Sequence, residues 1–208
     1  MKRIPVVATV AVLLAVVAML ALGVWQLQRR AEKEAMIARF TANAGKPVMA
    51  LPGFPYAQSL FRRVSAHCLE VTDWTSTAGR TRDGAAGWRH VAHCRTGAEG
   101  PGFRVDMGVG NDPNLRPAWR GGTVTGMLTQ ASSGQPAIAA LFAGKVTGDR
   151  MIVSETAAPG LAPSRQPDPA DLPNNHLAYA VQWFAFAAIA LVIYALALRR
   201  RLRSTPSS

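Results

Sequence analysis

Residues Asn174–Leu198 read NNHLAYAVQWFAFAAIALVIYALAL, two amides and a histidine opening a long uncharged run. From Leu177 to Leu198 the run exceeds the roughly 18 to 20 apolar residues that a helix needs to cross a bilayer. Backbone polar groups find no water in hydrocarbon, so a helix is the expected form. A matching run lies near the other end of the 208-residue chain, IPVVATVAVLLAVVAMLALGV, Ile4–Val24. It follows Lys2-Arg3, but it is too long for a signal-peptide core and ends in Trp25-Gln26 rather than a small-x-small site. Both runs are therefore expected to be membrane spans, the first an uncleaved anchor.

Charge suggests orientation. Lys2 and Arg3 precede the first span, and Arg199, Arg200, Arg201 and Arg203 follow the second, with no acid in either tail. The positive-inside rule puts both termini in the cytoplasm and the intervening loop on the far side. That loop holds 17 Lys and Arg against 12 Asp and Glu, so more than half of the formal net charge of +11 sits in the tails. The basic balance is a topology signal, and nucleic-acid binding is not expected. The chain divides into residues 1–28 (tail and first span), 29–173 (outer domain) and 174–208 (second span and basic tail).

Between the spans, Arg29–Ala44 continues as a wet helix stopped by Gly45 and Pro47. Short runs of strand character follow: 62–71, 87–96, 102–110, 121–130 and 149–157. Phe103, Val105, Met107 and Val109 share one parity. Period-two alternation between turn signals predicts an antiparallel sheet or small barrel. The five prolines of 158–173 predict an extended connector. The fold class is thus two transmembrane helices flanking one β-rich outer domain.

Three groups of residues invite chemistry. His176, Tyr179 and Trp183, spaced by three and four, share one helical face. The ordinary reading is an interfacial aromatic belt; the alternative is a site where an imidazole ligates a metal or haem iron and rings pack against a macrocycle. By topology Trp25 and Gln26 lie at a similar depth. The chain's two cysteines, Cys68 and Cys94, each follow a histidine, His67 and His93. They predict a disulfide between neighbouring strands, with a redox or copper role as the alternative. Adjacent residues of a strand point to opposite faces, which argues against one site made from both pairs. Arg29-Arg30 and Arg62-Arg63 either anchor or pair with carboxylates or lipid headgroups. His90 shares the parity of Cys94 without a specific role. No hydrolase triad, zincin motif or phosphate-cradling glycine motif is present, and Ser133-Gly134 lacks an elbow context, so an enzyme is not expected.

Taken together, LGVWQLQRRAEKEAMI (Leu22–Ile37), the RRV from Arg62, and NNHLAYAVQWFAFA (Asn174–Ala187) resemble the Surfeit-locus-protein-one (Shy-type) family, which assists assembly of cytochrome c oxidase. The matching positions are Gly23, Trp25, Gln26, Arg29 and Lys33, then Asn174, His176, Tyr179, Ala180, Trp183 and Phe184. Glu32, Gln182 and Cys68 depart from the family's pattern. The resemblance implies a haem a carrier with His176 as iron ligand, Tyr179 and Trp183 lining the pocket, and Trp25, Gln26 and Arg29 completing it. It implies oxidase subunit I as partner, with haem a synthase as a second candidate, at the membrane lipid. The alternatives are a scaffold for oxidase intermediates that carries no haem, and a thiol- or copper-handling membrane protein. The lack of an Arg- and Ser-rich transit segment points to a bacterial plasma (inner) membrane with the outer domain periplasmic.

Overall fold

A computed structural model describes residues 5–97, 100, 102–131 and 149–203. The Met1–Arg3 end of the first tail and the Ser133-Gly134 pair lie outside the described residues. The described chain forms two compact units, one from the chain ends (1–36 with 173–208) and one from residues 37–172.

The terminal unit is a pair of helices. Helix α1, Val6–Ala44, runs through the first apolar stretch and through the charged segment beyond it, as its helix-compatible composition predicts. At 1.5 Å per residue it is far longer than the ~30 Å hydrocarbon layer. Helix α2, His176–Arg203, carries the second stretch and ends in arginines. Each is long and apolar enough to cross a membrane, and most of their apolar side chains point outward. That is the arrangement lipid requires, and it fits a membrane protein with two spans.

Their covered positions show how they pack. On α1 these are Thr9, Val12, Val16, Met19, Gly23 and Gln26, alternating steps of three and four. On α2 they include His176, Ala180, Trp183, Phe184, Ala187, Ala190 and Tyr194. A 3.5-residue repeat is the signature of ridges-into-grooves packing in a left-handed pair. The fit is tight where side chains are small. A Cβ on Gly23 would stand 2.5 Å from Cε1 of Phe184, and Ala180 and Ala187 are buried. Small residues let helices approach where lipid tails offer no hydrophobic drive for association. Near the other end of the pair, the Thr9 and Tyr194 hydroxyls are hydrogen-bonded.

The second unit is a seven-stranded sheet: β1 Met49–Ala50, β2 Arg63–Cys68, β3 Glu70–Arg80, β4 Ala86–Arg95, β5 Phe103–Gly110, β6 Gly122–Gln130 and β7 Arg150–Ser154. The spatial order is β1-β2-β6-β7-β5-β4-β3. β2 and β3 are one run of chain broken at Leu69. The first half pairs with β6 and the second with β4, so the sheet curls and its two ends meet at that bend. The sheet is mixed rather than antiparallel, because β5 runs parallel to β7 and β1 parallel to β2. Alternation fixes which face is buried and says nothing of strand direction. β3, EVTDWTSTAGR, is absent from the runs picked out by sequence. Trp74 is its one buried residue, and its Thr and Ser positions hide the apolar alternation.

Inside the curl lie Val64, Trp74, Ala92, Phe103, Val105, Met107, Leu128 and Ile152. The shared parity of Phe103, Val105, Met107 and Val109 is realised, all four being buried. β7 is buried on both faces, with Met151 and Val153 joining Val91 and Ala131 in a second cluster. Gly126 marks a close approach of β6 to β7, where a Cβ would meet the Val153 carbonyl oxygen at 2.1 Å.

The last turns of α1 belong to this unit. Phe40 packs on Phe61 with ring centroids 4.9 Å apart, and Asn43 donates to the carbonyls of Gln58 and Leu60. The proline-rich connector is docked on the sheet. Ala162 bridges Val109, Ser164 bridges Thr81, and the Arg165 amide donates to the Arg80 carbonyl.

Candidate functional site

His176 is the first residue of α2, where Asn175 contributes the first helical carbonyl. Its Nδ1 lies 2.8 Å from Oε1 of Gln26 on α1. An amide oxygen only accepts, so with Oε1 in this position the imidazole carries its proton on Nδ1 and leaves the Nε2 lone pair uncommitted by that bond. The contact sits three residues beyond the Gly23–Phe184 approach on α1, and the small glycine lets the two helices run close enough for a side-chain bond.

The other expected site residues are distributed around the pair. Trp183 is half-buried and meets Phe186 edge-on at 6.2 Å. Tyr179 and Trp25 are about half exposed on the outer surface. Trp25 borders a shallow groove of about 470 Å³ along α1, with Val17, Leu20, Ala21, Val24 and Gln28. Arg29 is paired with Glu32, and Arg30 with Glu34. The structure therefore brings His176 and Gln26 together, keeps Trp183 on the covered side, and turns Tyr179, Trp25 and Arg29 outward.

Cys68 and Cys94 are joined, with a Cα separation of 5.2 Å, and both are buried. Their strands, β2 and β4, are not neighbours in the sheet, contrary to the sequence expectation. Three strands separate them in the ladder, and the bend at Leu69 brings their ends together. The bond thus closes the curl. His67 is exposed against Thr123, and His93 lies near Thr75. Each points away from its neighbouring sulfur, as strand geometry requires. Among the described residues no group of His, Cys, Asp and Glu is gathered to hold a metal.

Arg63 makes a two-pronged bond to Glu155, at 2.6 and 2.9 Å, and Arg62 donates to the Pro47 carbonyl. The pairing holds the Glu155 carboxyl below its usual range. Both arginines therefore serve the domain's own packing. An open cleft of about 740 Å³ on the sheet is rimmed by Arg80, Arg89, Arg104 and Arg165, each of which already has an acceptor within the domain.

Sequence reasoning assigned no role to two polar groups that the structure buries. Asp106 is fully buried on β5. It accepts from Ser164 Oγ at 2.6 Å and from the Gly108 amide, and faces Arg89 Nε at 3.0 Å. Burial raises its pKa, and the Arg89 charge opposes that rise. This triad pins the connector to the sheet. A lone acid within FRVDMGVG was the available signal. His90 is also fully buried, beside Ser76 Oγ at 3.3 Å, and burial lowers its pKa. It lies on the same strand face as the buried Ala92 and Cys94, as their shared parity foretells.

The family model described as the SURF1 family matches residues 13–188 and so takes in the whole β domain, most of α1 and the first half of α2. No curated protein matches the chain. The β domain, both terminal motifs and part of each span fall inside that one match, and the chain belongs to the SURF1 family, whose members are assembly factors associated with cytochrome c oxidase.

Proposed function

We propose that this protein is a non-enzymatic biogenesis factor that binds haem a at the membrane edge through His176 and passes it to the catalytic subunit I of cytochrome c oxidase, with haem a synthase as the source. The observation that carries this reading is His176 at the polar end of an apolar helix pair, held by Gln26, in a chain of this family. One axial imidazole leaves the opposite face of the iron open, which suits a carrier that must release its load. A long isoprenoid tail belongs in hydrocarbon, beside the apolar helix surfaces, while the ring stays near headgroup level. Trp183 and Phe186 offer ring edges and faces to a flat macrocycle. The arginines after α2 favour cytoplasmic termini and a periplasmic β domain in a bacterial plasma membrane.

The outward Tyr179 and Trp25 and the Arg29–Glu32 pair favour a second reading, a scaffold that binds oxidase intermediates through these surfaces and carries no haem. Co-expression with a haem a synthesis pathway separates the two. The carrier reading expects stoichiometric haem a in the purified chain and its loss in His176→Ala. Haem-free protein in both cases leaves the scaffold.

A further inference from the structure

We propose that Gln26 is a positioning residue that fixes which nitrogen of His176 is able to ligate iron, so that the ligand is assembled from both helices. The inference rests on the haem-binding reading of His176. A neutral imidazole offers one donor and one acceptor nitrogen, and the bond made by one decides the role of the other. The Gln26 Oε1 accepts from Nδ1 at 2.8 Å. Nε2 is then the nitrogen with an available electron pair. Ligating histidines almost always donate their second N–H to an acceptor, which sets ring orientation and strengthens the ligand. Here the acceptor comes from a helix about 150 residues earlier in the chain. Closing the helix pair therefore creates the oriented ligand, and parting the helices at Gly23 and Phe184 unmakes it.

The test compares the full chain loaded with haem a in detergent, as wild type, Gln26→Glu and Gln26→Leu, with His176→Ala as the control. The readouts are haem affinity and the midpoint potential of the bound iron; circular dichroism and thermal unfolding check that each variant is folded. Gln26→Glu keeps an acceptor in nearly the same shape and makes the bond charge-assisted. It should retain stoichiometric haem and shift the midpoint potential to more negative values. Gln26→Leu removes the acceptor and should weaken haem binding about 10- to 100-fold, with the potential of the residual complex moving positive. A merely structural role for Gln26 would leave the potential unmoved in the Glu variant. If His176→Ala loses haem while Gln26→Glu and Gln26→Leu both keep the wild-type potential, the positioning role is overturned and the haem-binding reading stands. If His176→Ala binds haem as well as wild type does, the haem-binding reading itself fails, and this inference with it.

Discussion

The helix pair and the β domain are held together by opposite means. The helices meet along a seam that is tightest at Gly23, Ala180 and Ala187, and among the described residues side-chain hydrogen bonds span the pair at Thr9–Tyr194 and Gln26–His176. The covered positions along that seam follow a 3.5-residue count. The β domain closes through pairings between distant residues, a disulfide across a curled sheet, and a buried carboxylate that clamps a connector more than 50 residues away. The first arrangement is a surface on which a polar site sits at one end. The second is a packed body whose charged groups are mostly spent on one another. The difference teaches where to look for function, since a side chain already bonded within its own domain has little left to offer a ligand.

If the two regions are as separate as this contrast says, damage to one should leave the other's readout intact. The largest effect is expected in the β domain. Replacing both cysteines with serine frees a loop of 26 residues, which costs about 3.5 kcal/mol in the chain-entropy picture. Hydrogen exchange on the detergent-solubilised chain should rise across β2 to β6, while exchange along the two spans stays unchanged. A rise in both would break the comparison.

Asp106→Asn should cost about 2–3 kcal/mol, because Arg89 is left facing a neutral group and the Ser164 clamp weakens. Partial exposure of Arg89 keeps the figure at that end of the range for broken ion pairs. Its signature is local. Protease cleavage within 158–168 should speed up before any loss elsewhere in the domain.

Gly23→Val tests the other side. The added methyls overpack against Phe184, at a cost of about 1–3 kcal/mol. The helices should part at the level of the Gln26–His176 bond. Haem content should fall while β-domain exchange is unaffected. Retained haem with normal affinity would show that the seam does not support the site.

The smallest effect concerns pH. His90 has its pKa lowered by burial, so between its folded and unfolded values the unfolded chain binds more protons. Its part in stability is whole above the ordinary histidine value of 6.5 and is lost as the pH falls below it. The gap in unfolding midpoint between His90→Asn and wild type should therefore be steady above the ordinary histidine value of 6.5 and narrow as the pH falls below it. Glu155 is also displaced downward from its own ordinary value, by the bond from Arg63 rather than by burial. Its contribution is present above the usual glutamate range and is lost only at lower pH, as its depressed folded value is passed, so the two groups are told apart by their windows.

What the sequence by itself determined is everything with a short period or a local motif. The two apolar runs required helices, because hydrocarbon leaves no other form for the backbone. Gly45 and Pro47 stopped α1 where the structure ends it. Odd positions of β5 announced the core. The terminal motifs, read against the family, pointed to His176 and Gln26 before their contact was in view. The tertiary structure alone decided what depends on distance along the chain. Strand direction, and so the parallel β5–β7 pair, leaves no trace in alternation. β3 escaped notice because its exposed face is rich in Thr and Ser and its buried face carries little beyond Trp74. The cysteines were expected on adjacent strands, but the bend at Leu69 joined the sheet's ends instead. The curl gave Asp106 its Arg89 and Ser164 partners. Of the residues expected at the site, spacing placed His176 and Trp183 on the covered face. Only the seam between the helices decided that Gln26 would meet His176 while Tyr179 and Trp25 faced outward. Periodicity reports which side of an element is covered; what covers it is set by packing between segments that the chain itself keeps far apart.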